Sequence, residues 1–292
     1  MPALAPATSA TLGKRHRTAV ERAGVLIRLV RRWQPQRAVL LVGDGGFAAV
    51  SLGHTCRRQR VGLVSRLRLD AALYDAPVPP PPGKRGPKPK KGARQLSLAA
   101  RLLDPQTLWQ AVTVPWYGGD DEEVEIATGA ALWHRSGEAP LPLRWVLVRD
   151  PQQRWRPLAL FCTDPTASAA QVLRLYLLRW NVEVTFEELR AHLGFETQRQ
   201  WSTPAIARTT PCLAGLFSLV VLFAYALHPH QMPTRQAAWY PKAEATFADA
   251  LAAVRRHLLT CTNYASSAQG ADAPQSSSPL WSALADAWCY AA

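Results

Sequence analysis

Two groups of side chains in this chain have types and spacings suited to chemistry on an anionic substrate. The first is a lone carboxylate, Asp44, in the stretch VLLVGDGGFAAV (39–50). It follows an apolar, β-branched run, and glycines on both sides leave it uncrowded. The second lies in YLLRWNVEVTFEELRAHLG (176–194). At about 100° per residue, Tyr176, Arg179, Glu183 and Arg190 fall within roughly 60° of one another. They run along the edge of an apolar stripe made of Leu175, Leu178, Val182, Phe186, Leu189 and Leu193.

Asp44 admits two readings. Gly43, Gly45 and Ala48 satisfy the dinucleotide pattern G-x-G-x-x-A between a strand and a helix. Against it, the next acid is Asp70, later than the spacing of about 20 residues that ribose recognition needs. A carboxylate between the glycines would also face pyrophosphate. The second reading is a metal carboxylate: a hard oxygen ligand at a strand end, with small neighbours leaving room for a hydrated ion and a phosphodiester. Glu183 would then supply a second ligand. On the helix, the plain alternative is an i,i+4 surface ion pair between Arg179 and Glu183.

The elements that must position these groups are legible. Residues 14–34 space Val20, Leu26 (or Ile27) and Val30 as an amphipathic helix with a basic outer face, ended by Pro35. A buried strand at 38–43, a short helix at 46–58 and a strand at 61–67 make a β-α-β unit, which predicts parallel pairing in a mixed α/β domain. Residues 75–94 are proline-rich and then basic, read equally as a solvated linker or as an arm on a phosphate backbone. Four strand-like stretches follow at 107–117, 122–134, 143–149 and 157–163. A long helix is opened by a Ser168–Gln171 capping box and closed by Gly194. Asp164, just before it, reads as a helix-start residue. Residues 211–227 predict a buried helix, their apolar part being shorter than the roughly 20 residues of a membrane span. A further helix covers 244–259, and 266–279 is a low-complexity loop.

The chain has 292 residues, 48% hydrophobic and 19% charged, a globular balance. Its 34 Lys and Arg against 21 Asp and Glu give a net charge of +13, which favours polyanionic partners, nucleic acid foremost. The five cysteines (Cys56, Cys162, Cys212, Cys261, Cys289) are odd in number and never spaced C-x-x-C. That pattern argues against a disulfide framework or a zinc site and fits a reducing cytosol. The start, MPALAPATSA, lacks the basic and apolar segments of a signal peptide.

VGDGGFA resembles the second catalytic block of the DDE insertion-sequence transposases. The helix carries their Tyr–Arg–Glu–Lys signature as Tyr176, Arg179, Glu183 and, in place of the lysine, Arg190. RWNVEVTFEELRAHLG is the specific part, and ARTTPCLAGLFSLVVLFA is also similar; the resemblance runs from about Lys14 to the C-terminus. It implies a ribonuclease-H-like mixed α/β fold with a β-rich insertion and a C-terminal helical region. The expected segments are a partial core carrying Asp44 (1–68), a basic linker and β-rich insertion (69–163), a catalytic and a buried helix completing the core (164–228), and a helical tail (229–292).

By the same resemblance Asp44 and Glu183 would be catalytic metal ligands for Mg²⁺ or Mn²⁺, two ions in an intact relative. Tyr176, Arg179 and Arg190 would contact DNA, with Lys84, Arg85, Lys88, Lys90, Lys91 and Arg94 of the arm on phosphates. The implied reaction is transposon-end cleavage and strand transfer on double-stranded DNA, by a cytoplasmic, nucleoid-associated protein with no membrane partner. Asp164 occupies a non-catalytic position in the family's pattern. The family's first aspartate lies upstream of the second block, but residues 1–43 contain no aspartate and only one acid, Glu21. The expectation is therefore a C-terminal part of a transposase, without autonomous catalysis. Alternatives are a DNA-binding remnant or inhibitor that pairs with itself or with full-length enzyme, and a dinucleotide-binding enzyme.

Overall fold

The computed structural model describes residues 6–79, 87–117, 121–197, 199, 202–235, 242, 244–267 and 279–291. Its contacts divide the chain into two units, Met1–Trp180 and Asn181–Ala292.

In the first unit, a short helix α1 (Pro6–Thr11) precedes α2 (Ala19–Trp33). The start of α2 is a capping box: Thr18 accepts from the Glu21 amide, and Glu21 accepts from the Thr18 amide at 2.8 Å. Its inner face is Ala23, Gly24 and Ile27; Leu26, the other candidate for that face, is exposed. Arg31 near its end donates to the carbonyls of Gln34, Pro35, Arg37, Gln59 and Arg60. One guanidinium thus ties the helix end to both the entry of β1 (Val39–Gly43) and the turn between α3 (Val50–Arg58) and β2 (Val61–Leu67). Strands β1 and β2 pair in parallel, Val39 opposite Val61 through Gly43 opposite Ser65, as the β-α-β reading predicts.

After β3 (Leu73–Tyr74) and α4 (Leu98–Leu103) come β4 (Gln110–Pro115), β5 (Asp121–Trp133), β6 (Leu141–Arg149) and β7 (Leu158–Cys162). These strands extend the same sheet. Its order is β1-β2-β7-β6-β5-β3, with β4 also on β5, and every pairing but the first is antiparallel. Strand alternation sends side chains to two cores. Leu63, Trp145, Leu147 and Phe161 pack with Ile27, Leu52, Cys56 and Leu98 on the face covered by α2, α3 and α4. Val64, Val146, Val148 and Leu160 pack on the other face with Val172, Leu173 and Tyr176 of α5 (Ala169–Leu177). This is a mixed sheet with helices on both faces, a ribonuclease-H-like α/β fold.

The single long helix expected at 168–194 is instead α5, a 3-10 turn at Leu178–Trp180, and α6 (Asn181–Leu193). Ser168 caps α5 by accepting the Gln171 amide at 3.2 Å, and Gly194, at φ +69°, ends α6 as expected. The break contains neither glycine nor proline; β-branched Val182, Val184 and Thr185 follow it and weaken helix propagation. The predicted apolar stripe is broken with it. Val172, Leu173, Tyr176 and Leu177 are buried, whereas Leu178, Val182 and Phe186 are exposed.

The second unit is helical: α6, α7 (Thr203–Leu227), α8 (Phe247–Ser267) and α9 (Pro279–Cys289). Val220 and Ala224 of α7 pack with Phe247, Ala250, Leu251 and Val254 of α8, and Phe217 stacks on Phe247 at 4.2 Å. The expectation of a buried helix at 211–227 is corrected. Only the seam through Phe217, Val220, Ala224 and Leu227 is covered, while Leu216, Leu219, Leu222, Phe223 and Tyr225 are exposed. By length and composition, residues 207–227 would suffice to cross a membrane. Most of the low-complexity stretch 266–279 lies outside the described residues.

Candidate active site

The site grows from the end of β1. Gly43 is buried, and a Cβ there would stand 2.9 Å from Cβ of Phe47, so only glycine lets the chain fold back directly after the strand. Asp44 is extended (φ −77°, ψ −175°) and opens a 3-10 turn over Gly45–Phe47. Its Oδ1 accepts the Gly46 amide at 2.8 Å. The Ser65 hydroxyl on β2 donates to the Asp44 carbonyl at 2.6 Å, which pins the loop to the sheet. Asp44 is exposed, and its other carboxylate oxygen has no protein donor among the described residues. A rigidly held, uncommitted hard oxygen fits a divalent cation.

Around Asp44 the first unit brings together Arg66, next to Ser65 on β2, with Tyr176 at the end of α5 and Arg179 in the 3-10 turn. Tyr176 is 3% exposed and belongs to the core beneath α5. Burial pushes its phenol pKa up; Arg179, which hydrogen-bonds the hydroxyl, and Arg66 act the other way, and Asp44 adds a small upward push. The Arg179 guanidinium lies 6.0 Å from the Tyr176 ring centroid. The result is a neutral phenol in the field of one carboxylate and two guanidiniums, with a net positive balance suited to a phosphate. Arg66 and Ser65 were not singled out from sequence. The available signal was a buried serine in the apolar strand VGLVSRL, at the register partner of Gly43.

The 3-10 turn that carries Arg179 also meets an aromatic row through Trp180. Trp155 stacks on Trp116 (5.0 Å, 19°), Trp116 meets Tyr117 edge-on (5.3 Å), and Tyr117 meets Trp180 (5.1 Å). This aromatic row links the strand-rich insertion to the 3-10 turn, so the helix break places Trp180 against the insertion.

Glu183 and Arg190 belong to the second unit. Tyr176 lies in α5, Arg179 in the 3-10 turn, and Glu183 and Arg190 in α6, so the unbroken 100° progression expected along 168–194 is interrupted at Leu178–Trp180. Glu183 is half-buried in the first turn of α6. Arg190 pairs with Glu196 at 3.2 Å.

The remaining candidates are dispersed. Lys84 and Arg85 lie outside the described residues. Lys88 and Lys90 are exposed. Lys91 is half-buried, its ammonium 3.9 Å above the Tyr74 ring and 3.2 Å from His134 Nδ1. Arg94 is bridged through its backbone to Tyr74, so this end of the arm is laid along β3. Asp164 accepts from the Thr166 amide and hydroxyl, which hold its carboxyl below the usual range; it shapes the turn into α5 while Ser168 provides the cap. Glu21 is committed to the capping box and to Arg15 at 3.1 Å. Among the described residues no group of three His, Cys, Asp or Glu side chains is placed to hold a metal ion.

A search of curated proteins finds no match. The family model for the transposase DDE domain matches residues 7–208, which include both acid-bearing segments and the whole sheet. The chain belongs to the DDE transposase family.

Proposed function

We propose that this chain is a DDE transposase that binds double-stranded DNA at the Asp44 face and carries two of the three carboxylates of a phosphoryl-transfer site. The family membership and the Asp44–Arg66–Tyr176–Arg179 cluster support this reading. In it, Asp44 and Glu183 would each serve as a ligand to Mg²⁺ or Mn²⁺. When bound, such ions would supply the Lewis-acid charge that lowers the pKa of an attacking water and neutralises phosphate oxygens. The protein's own part is positional. Gly46 orients the Asp44 carboxylate, the guanidiniums of Arg66 and Arg179 attract a backbone phosphate, and the phenol of Tyr176 remains protonated beside it. Lys88 and Lys90 add sequence-independent phosphate contacts.

Residues 1–43 offer no aspartate, and Glu21 is engaged in a cap, so the chain by itself is proposed not to cleave. The test is Mg²⁺-dependent nicking of a supercoiled plasmid. The expected outcome is duplex binding with no nicking above background; robust nicking that Asp44→Ala abolishes would refute the claim of inactivity.

A second reading has its own observation. Among the described residues, strand β1 is bonded on one side only, to β2, so its other edge can accept a strand from another chain. In this reading the chain would act as a partner or inhibitor of intact enzyme in the cytoplasm. Co-purification with an intact copy supports that role, and failure to associate rejects it. The dinucleotide reading is weakened because Asp44 already accepts the Gly46 amide of the glycine loop and Asp70 is paired with Arg68.

A further inference from the structure

A pocket of about 280 Å³ opens between the N-terminal half of α2 and α3, separate from the Asp44 cluster. That is just below the range of ligand pockets, about 300–1,000 Å³. Val20 and Leu52 form its apolar floor, and Arg15, Arg17, Arg28 and Glu21 its rim. Gly24 lines the α2 wall. A Cβ there would lie 3.6 Å from Thr55 Cγ2 and 3.9 Å from Arg28 Nη1, so the Arg28 guanidinium reaches back over the gap.

The charges are unbalanced. Glu21 is the only acid in the lining, and it is occupied: the Thr18 amide and then Arg15 hold its carboxyl below the ordinary range. The side chains of Arg17 and Arg28 make no hydrogen bond or ion pair among the described residues. Two unneutralised guanidiniums thus stand over an apolar floor. A monovalent inorganic anion would use the first feature and waste the second. A sugar–phosphate unit uses both, with the phosphate on the fork donors and the deoxyribose against Val20. The pocket also shares its scaffold with the Asp44 loop, since α2 packs on the 3-10 turn that Asp44 opens and α3 begins at Val50.

We propose that this pocket is a docking site for the backbone of duplex DNA, with Arg17 and Arg28 on a phosphate, anchoring the duplex on the side of the β1–α3 connection away from Tyr176. The inference rests on the DNA-binding reading above and adds a specific contact to it. The test is fluorescence anisotropy with a labelled duplex of about 20 bp over a salt series, on the full chain. Compared are the wild type, Arg17→Ala/Arg28→Ala, Arg17→Lys/Arg28→Lys, and a charge-matched control, Arg37→Ala/Arg135→Ala.

The alanine pair should bind about tenfold more weakly near 0.1 M salt, with the slope of log affinity against log salt shallower by about 0.9, as for one lost phosphate contact. The lysine pair should recover most of the affinity, and the control should change little. Equal loss in the control and the alanine pair means a diffuse field, and the inference is overturned. Unchanged binding in the alanine pair, with pyrophosphate raising the melting temperature of the wild type alone, means a small-anion site and also overturns it. If the wild type binds no duplex at low salt, the DNA-binding reading itself fails, and the pocket proposal with it. Because both arginines are exposed, the variants should melt with the wild type.

Discussion

Tyr176 is the residue on which the first unit's site turns, because it is both core and polar contact. Its ring fills the space under α5 beside Val172 and Leu173, while its hydroxyl meets Arg179. Tyr176→Phe keeps the ring and removes one hydrogen bond, so it should lower stability by about 1 kcal/mol. Tyr176→Ala empties the same space and should cost about 3–5 kcal/mol. Chemical denaturation of the two variants checks this; equal losses would mean that the ring is not packed as described. Asp44, Ser65 and Gly43 form a second such unit: the glycine permits the reversal, the serine fixes it, and the carboxylate is left free on one side.

At the scale of elements, two features carry separate predictions. In α7, Leu222 is 63% exposed and Ala224 fully buried against α8. Leu222→Glu should change stability by no more than about 0.5 kcal/mol. Ala224→Asp, which buries an unpaired charge, should unfold the unit or cost more than about 3 kcal/mol. Circular-dichroism melts distinguish the two, and comparable damage at both sites would contradict the one-seam packing. In the insertion, Asp150 at the end of β6 is fully enclosed and accepts from the side chain of Arg154 and from the amides of Gln152 and Arg154, while Arg154 also binds Glu122 of β5. The Arg154 guanidinium holds the Asp150 pKa at about 2 against an ordinary 3.8. A depressed carboxyl pKa stabilises the fold above the unfolded-state value, and that contribution disappears as pH falls through the folded value. The stability gap between wild type and Asp150→Asn should therefore be full at pH 6 and above, and shrink between about pH 4 and pH 2. A gap independent of pH would rule out the charge as its origin.

At the scale of the whole molecule, the net charge of +13 makes salt-dependent duplex binding the general expectation. Lys88 and Lys90, exposed and unpaired among the described residues, should each contribute one contact. Lys88→Ala/Lys90→Ala should make the salt slope shallower by about 1.8 at every duplex sequence. Lys91→Ala should instead disturb the packing on Tyr74 and lower the melting temperature, since its ammonium is already docked there. A larger loss of DNA binding from Lys91→Ala than from the pair would reverse that assignment.

Local pattern alone determined much of this protein. The apolar run before Gly43, the β-α-β spacing, the strand at 61–67, the Ser168 cap and the Gly194 stop each follow from nearest neighbours or from the periods of 2 and 3.6 residues. The phrases around Asp44 and Glu183 sufficed to suggest the family. Only tertiary structure decided the rest, because it depends on what lies across space. The 3-10 turn at Leu178–Trp180 has no breaker residue and is fixed partly by Trp180 reaching Tyr117 in the insertion. Which of Leu26 and Ile27 turns inward depends on α3, and the bare face of α7 on having α8 along one seam alone. Arg66 joins the site through register with β1, a long-range pairing that composition and periodicity do not encode.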